Sequence, residues 1–293
     1  MSNVGSPAIT EAKIRDFWNE NPCGEHLIGE ARETVIRFFD AYDEYRYRVE
    51  PHILRCIDQL DVRGKSVLEI GLGQGADSEQ LIRRGAHWSG LDLTPESVHR
   101  VRTRLTWKEL PFDDLQVGSI LDAPFPDKSF DLIFSHGVLH HIPDIQLAQK
   151  EIHRLLKPEG TLIVMLYSKY SLNYLASIAL VRRLGLLGLM ALPVSLPPFW
   201  ETHKKNARAV GLFQYLKLKN FIHSNTDGPG NPYSKVYDLA AVARDFPCFS
   251  IEKHHKHFMH APPLPVHGWP GERLLGWHLW VHLKPRAEKA AHS

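Results

Sequence analysis

From residue 66 onward, short apolar runs alternate with longer segments whose apolar residues recur every three or four positions. Ser66-Val67-Leu68-Glu69-Ile70-Gly71 predicts a strand buried on both faces. A helix is predicted from about Asp77 to Arg84, and a second strand over Trp88 to Leu93. The next helix runs from Pro95 to Leu105, with Thr94 as its N-cap and Pro95 in its first turn. Leu115 to Ser119 and Phe130 to Ser135 predict the third and fourth strands. A helix over Asp144 to Leu156 ends at Lys157-Pro158-Glu159-Gly160, and Thr161 to Tyr167 is the fifth strand. Two late strands, about Ser250 to His257 and Gly276 to Leu283, follow a helix near Asp238 to Phe246. This alternation implies an α/β fold, a doubly wound and mostly parallel seven-stranded sheet with right-handed crossovers. The late pair fits a reversed final hairpin.

Outside these elements the pattern is different. Residues 11 to 60 read as helices, with Ile14, Phe17 and Trp18 on one and Val35, Phe38, Phe39 and Tyr42 on another. Pro22 and Gly24 separate the two, and Pro51 opens a short helix over His52 to Gln59. After Tyr167 the alternation stops for some seventy residues. Tyr170 to Trp200 is rich in Leu and Ala, and Asn225 to Pro232 is a turn cluster. The expected organisation is an N-terminal helical region (1–60), an α/β core (61–167), a helical cap or insertion after strand five (168–234), the rest of the core sheet (235–285) and a frayed tail (286–293).

Composition narrows the class. Of 293 residues, 43% are hydrophobic and 23% charged, which is the balance of a folded chain rather than a disordered one. Thirty-five Lys and Arg against 33 Asp and Glu leave no basic surplus for general nucleic-acid binding. Cys23, Cys56 and Cys248 are scattered, which suits a reducing compartment and offers no structural zinc site. Met1 to Thr10 does not read as a secretory signal. The longest apolar candidate, Leu184 to Trp200, is interrupted by Gly185, Gly188, Pro193, Pro197 and Pro198, so a cytoplasmic location is expected. Seven of the 18 histidines cluster late, at positions 254, 255, 257, 260, 267, 278 and 282. No H-E-x-x-H spacing occurs, and they are expected to pack rather than bind metal.

Candidate chemistry begins at Glu69-Ile70-Gly71-Leu72-Gly73-Gln74-Gly75. Glycines at alternate positions after a strand allow a sharp turn and a close approach to a ligand, and the following helix N-terminus favours an anion. Gly71-x-Gly73-x-x-Ala76 also satisfies a dinucleotide pattern. Glu69 argues the other way, because a carboxylate beside the loop would repel a pyrophosphate and suits a cationic amino-acid moiety. Asp92, twenty-one residues after Gly71, is placed to accept hydrogen bonds from ribose hydroxyls in either case.

Four ordered motifs sharpen the reading. Glu69-Ile-Gly71-Leu-Gly73-Gln-Gly75, then Gly90-Leu-Asp92-Leu, then Phe125-Pro-Asp127-Lys-Ser-Phe130-Asp131-Leu-Ile-Phe-Ser135-His-Gly-Val-Leu-His-His141, then Leu155-Leu-Lys157-Pro-Glu-Gly160 resemble the motifs of class I (Rossmann-like) S-adenosylmethionine-dependent methyltransferases, and within them the type 11 small-molecule branch. The resemblance implies that Glu69 and the backbone at Gly71, Gly73 and Gly75 hold the methionine end of the cofactor. It implies that Asp92 takes the ribose hydroxyls and that Leu93 packs on adenine. Many relatives carry Gly-Asp after the third strand, whereas this chain has Gly118-Ser119. Ser119 and the Ile120 amide are expected to serve adenine instead. His136 and Gly137 are expected beside the amino group and sulfonium.

Methyl transfer is an in-line displacement that requires close approach, exclusion of water and, for a hydroxyl acceptor, a base. His136 and Tyr167 end strands four and five, where ligands bind in such sheets, and His141 is a third catalytic candidate. The resemblance implies that the first helices fold over the cofactor as a lid, so Trp18, Arg46 and Tyr47 there, with Asn231 and Tyr233 of the turn cluster, are candidate substrate-binding residues. The alternatives are a lipid or quinone methyltransferase touching a membrane through its apolar insert, a nicotinamide-dependent dehydrogenase and a silent cofactor-binding protein. The expected partner is a small-molecule acceptor rather than nucleic acid, and the expected state a monomer or homodimer.

Overall fold

The computed structural model describes residues 10–22, 35–190 and 196–286, with side chains from residue 37 in the second of these segments. The stretch before Thr10, Cys23, Gly24, Leu192, Pro193 and the tail from Ala287 lie outside the described residues.

The elements are α1 (Glu11–Glu20), α2 (Val35–Val49), α3 (His52–Ile57), β1 (Ser66–Ile70), α4 (Ala76–Arg83), β2 (His87–Asp92), α5 (Pro95–Trp107), β3 (Asp114–Val117), β4 (Phe130–His136), α6 (Ile145–Leu155) and β5 (Leu156–Tyr167). A π-helical segment (Asn173–Arg182) then runs directly into α7 (Arg183–Met190). After it come α8 (Pro198–Val210), α9 (Leu212–Tyr215), α10 (Leu218–Phe221), α11 (Leu239–Asp245), β6 (Phe249–His257), α12 (Glu272–Leu275) and β7 (His278–Pro285).

The sheet order is β3-β2-β1-β4-β5-β7-β6. The first five strands are parallel, and β7 runs antiparallel to both β5 and β6, which is the expected reversed hairpin. Period-two alternation sends neighbouring side chains to opposite faces. Val67, Leu132, Phe134, Ile163 and Met165 pack on one face with Ile53 and Ile57 of α3, Leu81 of α4 and Leu105 of α5. Leu68, Ile133, Leu162, Val164 and Leu166 pack on the other with Ile152 of α6 and Val242 of α11. Each face therefore has its own apolar layer, as a doubly wound sheet requires.

Two expectations change. Strand five starts at Leu156, and Lys157 to Gly160 forms a bulge inside it, with the register shifting between Phe130 and Leu132. A Cβ at Gly160 would come within 2.9 Å of the Lys157 carbonyl oxygen, so the bulge closes only around glycine. The longest apolar helical stretch among the described residues is Asn173–Met190, which carries Arg182 and Arg183 at its middle, rather than Leu184 to Trp200. Its helix is long and apolar enough by length and composition to cross a membrane, and 28% of it is buried.

A fully buried cation ties α2 to the core. Arg104 on α5 donates to Glu79 Oε2 at 2.9 and 2.7 Å, to the Gln74 carbonyl at 3.2 Å and to the Asp43 carboxylate. Removing one member of such a cluster strands the others without compensation. Arg104→Met is expected to lower unfolding free energy by about 3–5 kcal/mol, read as a lower urea midpoint with unchanged slope. A loss under about 1 kcal/mol would show that the clamp is solvated.

Candidate active site

The site grows from the turn after β1. Gly71, Gly73 and Gly75 have φ of 78°, 53° and 76°, a region side-chain-bearing residues rarely adopt. A Cβ on Gly71 would lie 2.1 Å from Val138 Cγ2, so the turn and the loop after β4 pack backbone to side chain with no room between them. Asp92, at the end of β2, holds the turn open. Its Oδ2 accepts from the Leu72 amide at 2.7 Å, while Oδ1 accepts from the Thr94 amide and hydroxyl at 2.8 and 2.7 Å. One carboxylate thus supports both the glycine turn and Thr94, the N-cap residue of α5.

A cavity of about 550 Å³ opens at the carboxyl ends of β1, β2, β4 and β5. Glu69, Gly71, Gly73, Asp92 and Leu93 line one part of it, with Ser119, Ile120, His136 and Gly137 beside them. Trp18 of α1, Arg46 of α2, His141 and Tyr167 line the remainder. The structure thus brings together most of the residues singled out from sequence. Ser119 Oγ donates to Glu11, so α1 closes over that end.

Four expected contacts belong elsewhere. Gly75 does not line the cavity; it caps α4 and faces Val101 and Arg104 of α5. The Tyr47 hydroxyl reaches Asp77 instead of the cavity. Asn231 is buried and spends its amide on Thr226 Oγ1, Ser234 Oγ and the Tyr233 amide, fixing the turn. The Tyr233 ring stacks on His223, and only its carbonyl serves the site.

Two polar clusters face the cavity. In the first, Arg46 Nη2 donates to Asp77 Oδ2 at 2.8 Å, and His136 Nδ1 lies 2.9 Å from that nitrogen and 3.2 Å from that oxygen. Burial alone would raise Asp77, but the Arg46 guanidinium and His136 hold its carboxyl well below the usual range. Nearby, burial pushes Glu69 up to about 8; the Asp77 charge adds to this, and hydrogen bonds from Ser78 and the Trp88 indole oppose it. In the second cluster, Tyr167 donates to Asp227 Oδ1 at 2.6 Å, and His141 Nε2 lies 3.3 Å from Asp227 Oδ2. His141 Nδ1 lies 2.7 Å from the Tyr233 carbonyl, which fixes it as the N–H. His141 Nε2 and Asp227 Oδ2 are both buried with no hydrogen-bond partner among the described residues. Against burial, His141 and Tyr167 hold Asp227 below its usual range.

Sequence reasoning placed position 227 only within a turn cluster and did not join Asp227 to His141, and it missed Asp77, Trp277 and His278 as site residues. The His141–Asp227 pairing spans eighty-six residues and has no local spacing signal. Trp277 stacks on Tyr167 at 4.4 Å only because β7 runs back along β5, with His278 opposite Tyr167.

Residues 68–164 match the family model described as a methyltransferase domain. The core is a class I S-adenosylmethionine-dependent methyltransferase domain. The chain is 31% identical over 153 residues to the malonyl-[acyl-carrier protein] O-methyltransferase of Halorhodospira halophila, a match covering 49% of this chain and 51% of that protein. It is 36% identical over 157 residues to the demethylmenaquinone methyltransferase of Tropheryma whipplei, covering 50% and 62%. The chain thus spans less than two thirds of the length of these curated relatives. An S-adenosylmethionine-dependent methyltransferase structure from Mesorhizobium loti, 17% identical, shares the fold at a TM-score of 0.50, over 80% of this chain and 97% of that one.

The residues of this methyltransferase domain fit its cofactor. The glycine turn presents bare backbone, Asp92 offers a carboxylate, and His136 Nε2 and Arg46 Nε are buried without partners among the described residues. Gly71→Ala is expected to weaken S-adenosylhomocysteine binding at least about tenfold in calorimetry, through left-handed strain and the clash with Val138. Glu69 in the ligand-free domain holds its proton until pH rises through about 8, and only its ionised form favours a cationic group beside it. Cofactor affinity is therefore expected to fall as pH drops below that value, and Glu69→Gln to flatten this dependence. An equally steep profile in Glu69→Gln would contradict the assignment.

Proposed function

We propose that this protein methylates a hydroxyl oxygen on an apolar small molecule. The observation that carries the reading is the convergence of His141 Nε2 and Asp227 Oδ2, two buried atoms without other partners 3.3 Å apart in the cavity that holds the glycine turn. With Nδ1–H committed to the Tyr233 carbonyl, His141 turns Nε2 toward Asp227 in the cavity. Nε2 and Oδ2, 3.3 Å apart, can share one proton between them. An acceptor O–H brought there can supply it. The imidazolium so formed is held by Asp227 on one side and the Tyr233 carbonyl on the other, while Tyr167 fixes the carboxylate from Oδ1. The bound cofactor supplies an electrophilic methyl group on a sulfonium. Trp18, Met165, Phe258 and Trp277 give the cavity an apolar wall that excludes water and suits an apolar acceptor body. An O-methyltransferase among the relatives supports oxygen as the nucleophile.

The test is product formation from labelled methyl donor against a panel of apolar phenols, alcohols and carboxylic acids, compared with amines and thiols. His141→Ala and Asp227→Asn are each expected to lower kcat by about 10²-fold or more at unchanged cofactor affinity. Full turnover in both would remove the base.

A second reading has its own observation. Leu175, Leu180, Leu184 and Leu187 are exposed along the π-helix and α7, which favours a lipid surface as the source of the acceptor. Flotation with anionic vesicles is expected to carry the protein upward, and less so after Leu180→Glu with Leu184→Glu; a protein that stays in the soluble fraction with every vesicle composition contradicts this reading.

A further inference from the structure

The late histidines acquire a use once β6 is placed against α3. His255 and His257 are two residues apart, so their side chains leave the same face of the strand. They meet Cys56 of α3. Cys56 Sγ lies 3.5 Å from His255 Nε2, and one donor atom from each of Cys56, His255 and His257 falls within 4.8 Å of the others. A tetrahedral zinc ion with sulfur at about 2.3 Å and nitrogen at about 2.0–2.1 Å separates the two by about 3.5 Å. The observed spacing is that of two ligands of one ion.

Two further features point the same way. His257 Nδ1 lies 3.1 Å from Glu272 Oε1, and Glu272 Oε2 accepts from the Phe258 amide at 3.2 Å. A ring that donates Nδ1–H to a fixed carboxylate presents Nε2 as a ligand, the arrangement that orients metal-bound histidines. His255 Nδ1 is buried and has no hydrogen-bond partner among the described residues, so the thiol is the only polar neighbour recorded for this ring's nitrogens.

We propose that Cys56, His255 and His257 bind one divalent ion of the zinc class, with Glu272 orienting His257 and water completing the tetrahedron. One thiolate with two imidazoles is a donor set that suits zinc rather than magnesium or calcium. Binding breaks the S–H bond, forms the sulfur–metal bond and releases one proton to solvent. The ion would pin α3 to β6. It would also brace the cavity wall, because His52 of α3 stacks on His257 at 5.3 Å and contacts His278, a lining residue, at 3.0 Å.

The experiment is cobalt(II) titration of the chelator-stripped full-length protein, followed by zinc displacement. One cobalt per chain with a thiolate-to-cobalt charge-transfer band, bleached by zinc, is expected. Cys56→Ser should abolish the band, Cys248→Ser should keep it, and Glu272→Gln should bind about tenfold more weakly. S-adenosylhomocysteine binding by each variant reports that it is folded, and the isosteric change Glu272→Gln keeps the test open if Cys56→Ser is not. Absence of the band in the wild type, its persistence in Cys56→Ser, or unchanged affinity in Glu272→Gln would each overturn the site.

Discussion

The turn at Gly71 is the constraint from which the rest of the site follows. Its backbone must run left-handed directly under Val138, in a space where no Cβ fits. Asp92 keeps it there by accepting from the Leu72 amide with one oxygen and from Thr94 with the other. One carboxylate therefore sets both the shape of the ligand cradle and the start of α5. The Arg104 cluster then braces α2, α4 and α5 around that cradle. The glycine turn and the position of α2 thus share a scaffold of a few buried charged groups.

Behind this cradle the charges are arranged unequally. Asp77 stays ionised because Arg46 and His136 compensate it, whereas Glu69, with no cation in direct contact among the described residues, keeps its proton until about pH 8. A cationic ligand supplies what Glu69 lacks. On the acceptor side His141 Nε2 and Asp227 Oδ2 face each other at 3.3 Å, close enough to share one proton.

The sheet and the cofactor side were legible in the chain because their signals are local. Apolar runs, glycine spacing and proline positions report on the next few residues, and Glu69, Gly71, Gly73 and Asp92 all lie within such a window. The acceptor side was less legible. Trp277 and His278 reach the site through the antiparallel register of β7 on β5, and Asp227 reaches His141 across the whole insertion. Asn231 and Tyr233 looked like ligand groups because polar side chains in a turn cluster look alike in sequence. Only their hydrogen bonds show that they build the loop that aims His141. The bulge at Lys157 to Gly160 looked like a helix stop for the same reason.

The central claim is that one cavity holds the methyl donor against the glycine turn and directs its reacting end toward His141 and Asp227. A crystal structure with S-adenosylhomocysteine tests it most directly. The account predicts ribose hydroxyls on Asp92, the amino-acid end along Gly71 and Gly73, and the sulfur facing the His141–Asp227 pair. A sulfur turned away from that pair, or a ligand bound outside this cavity, would contradict it.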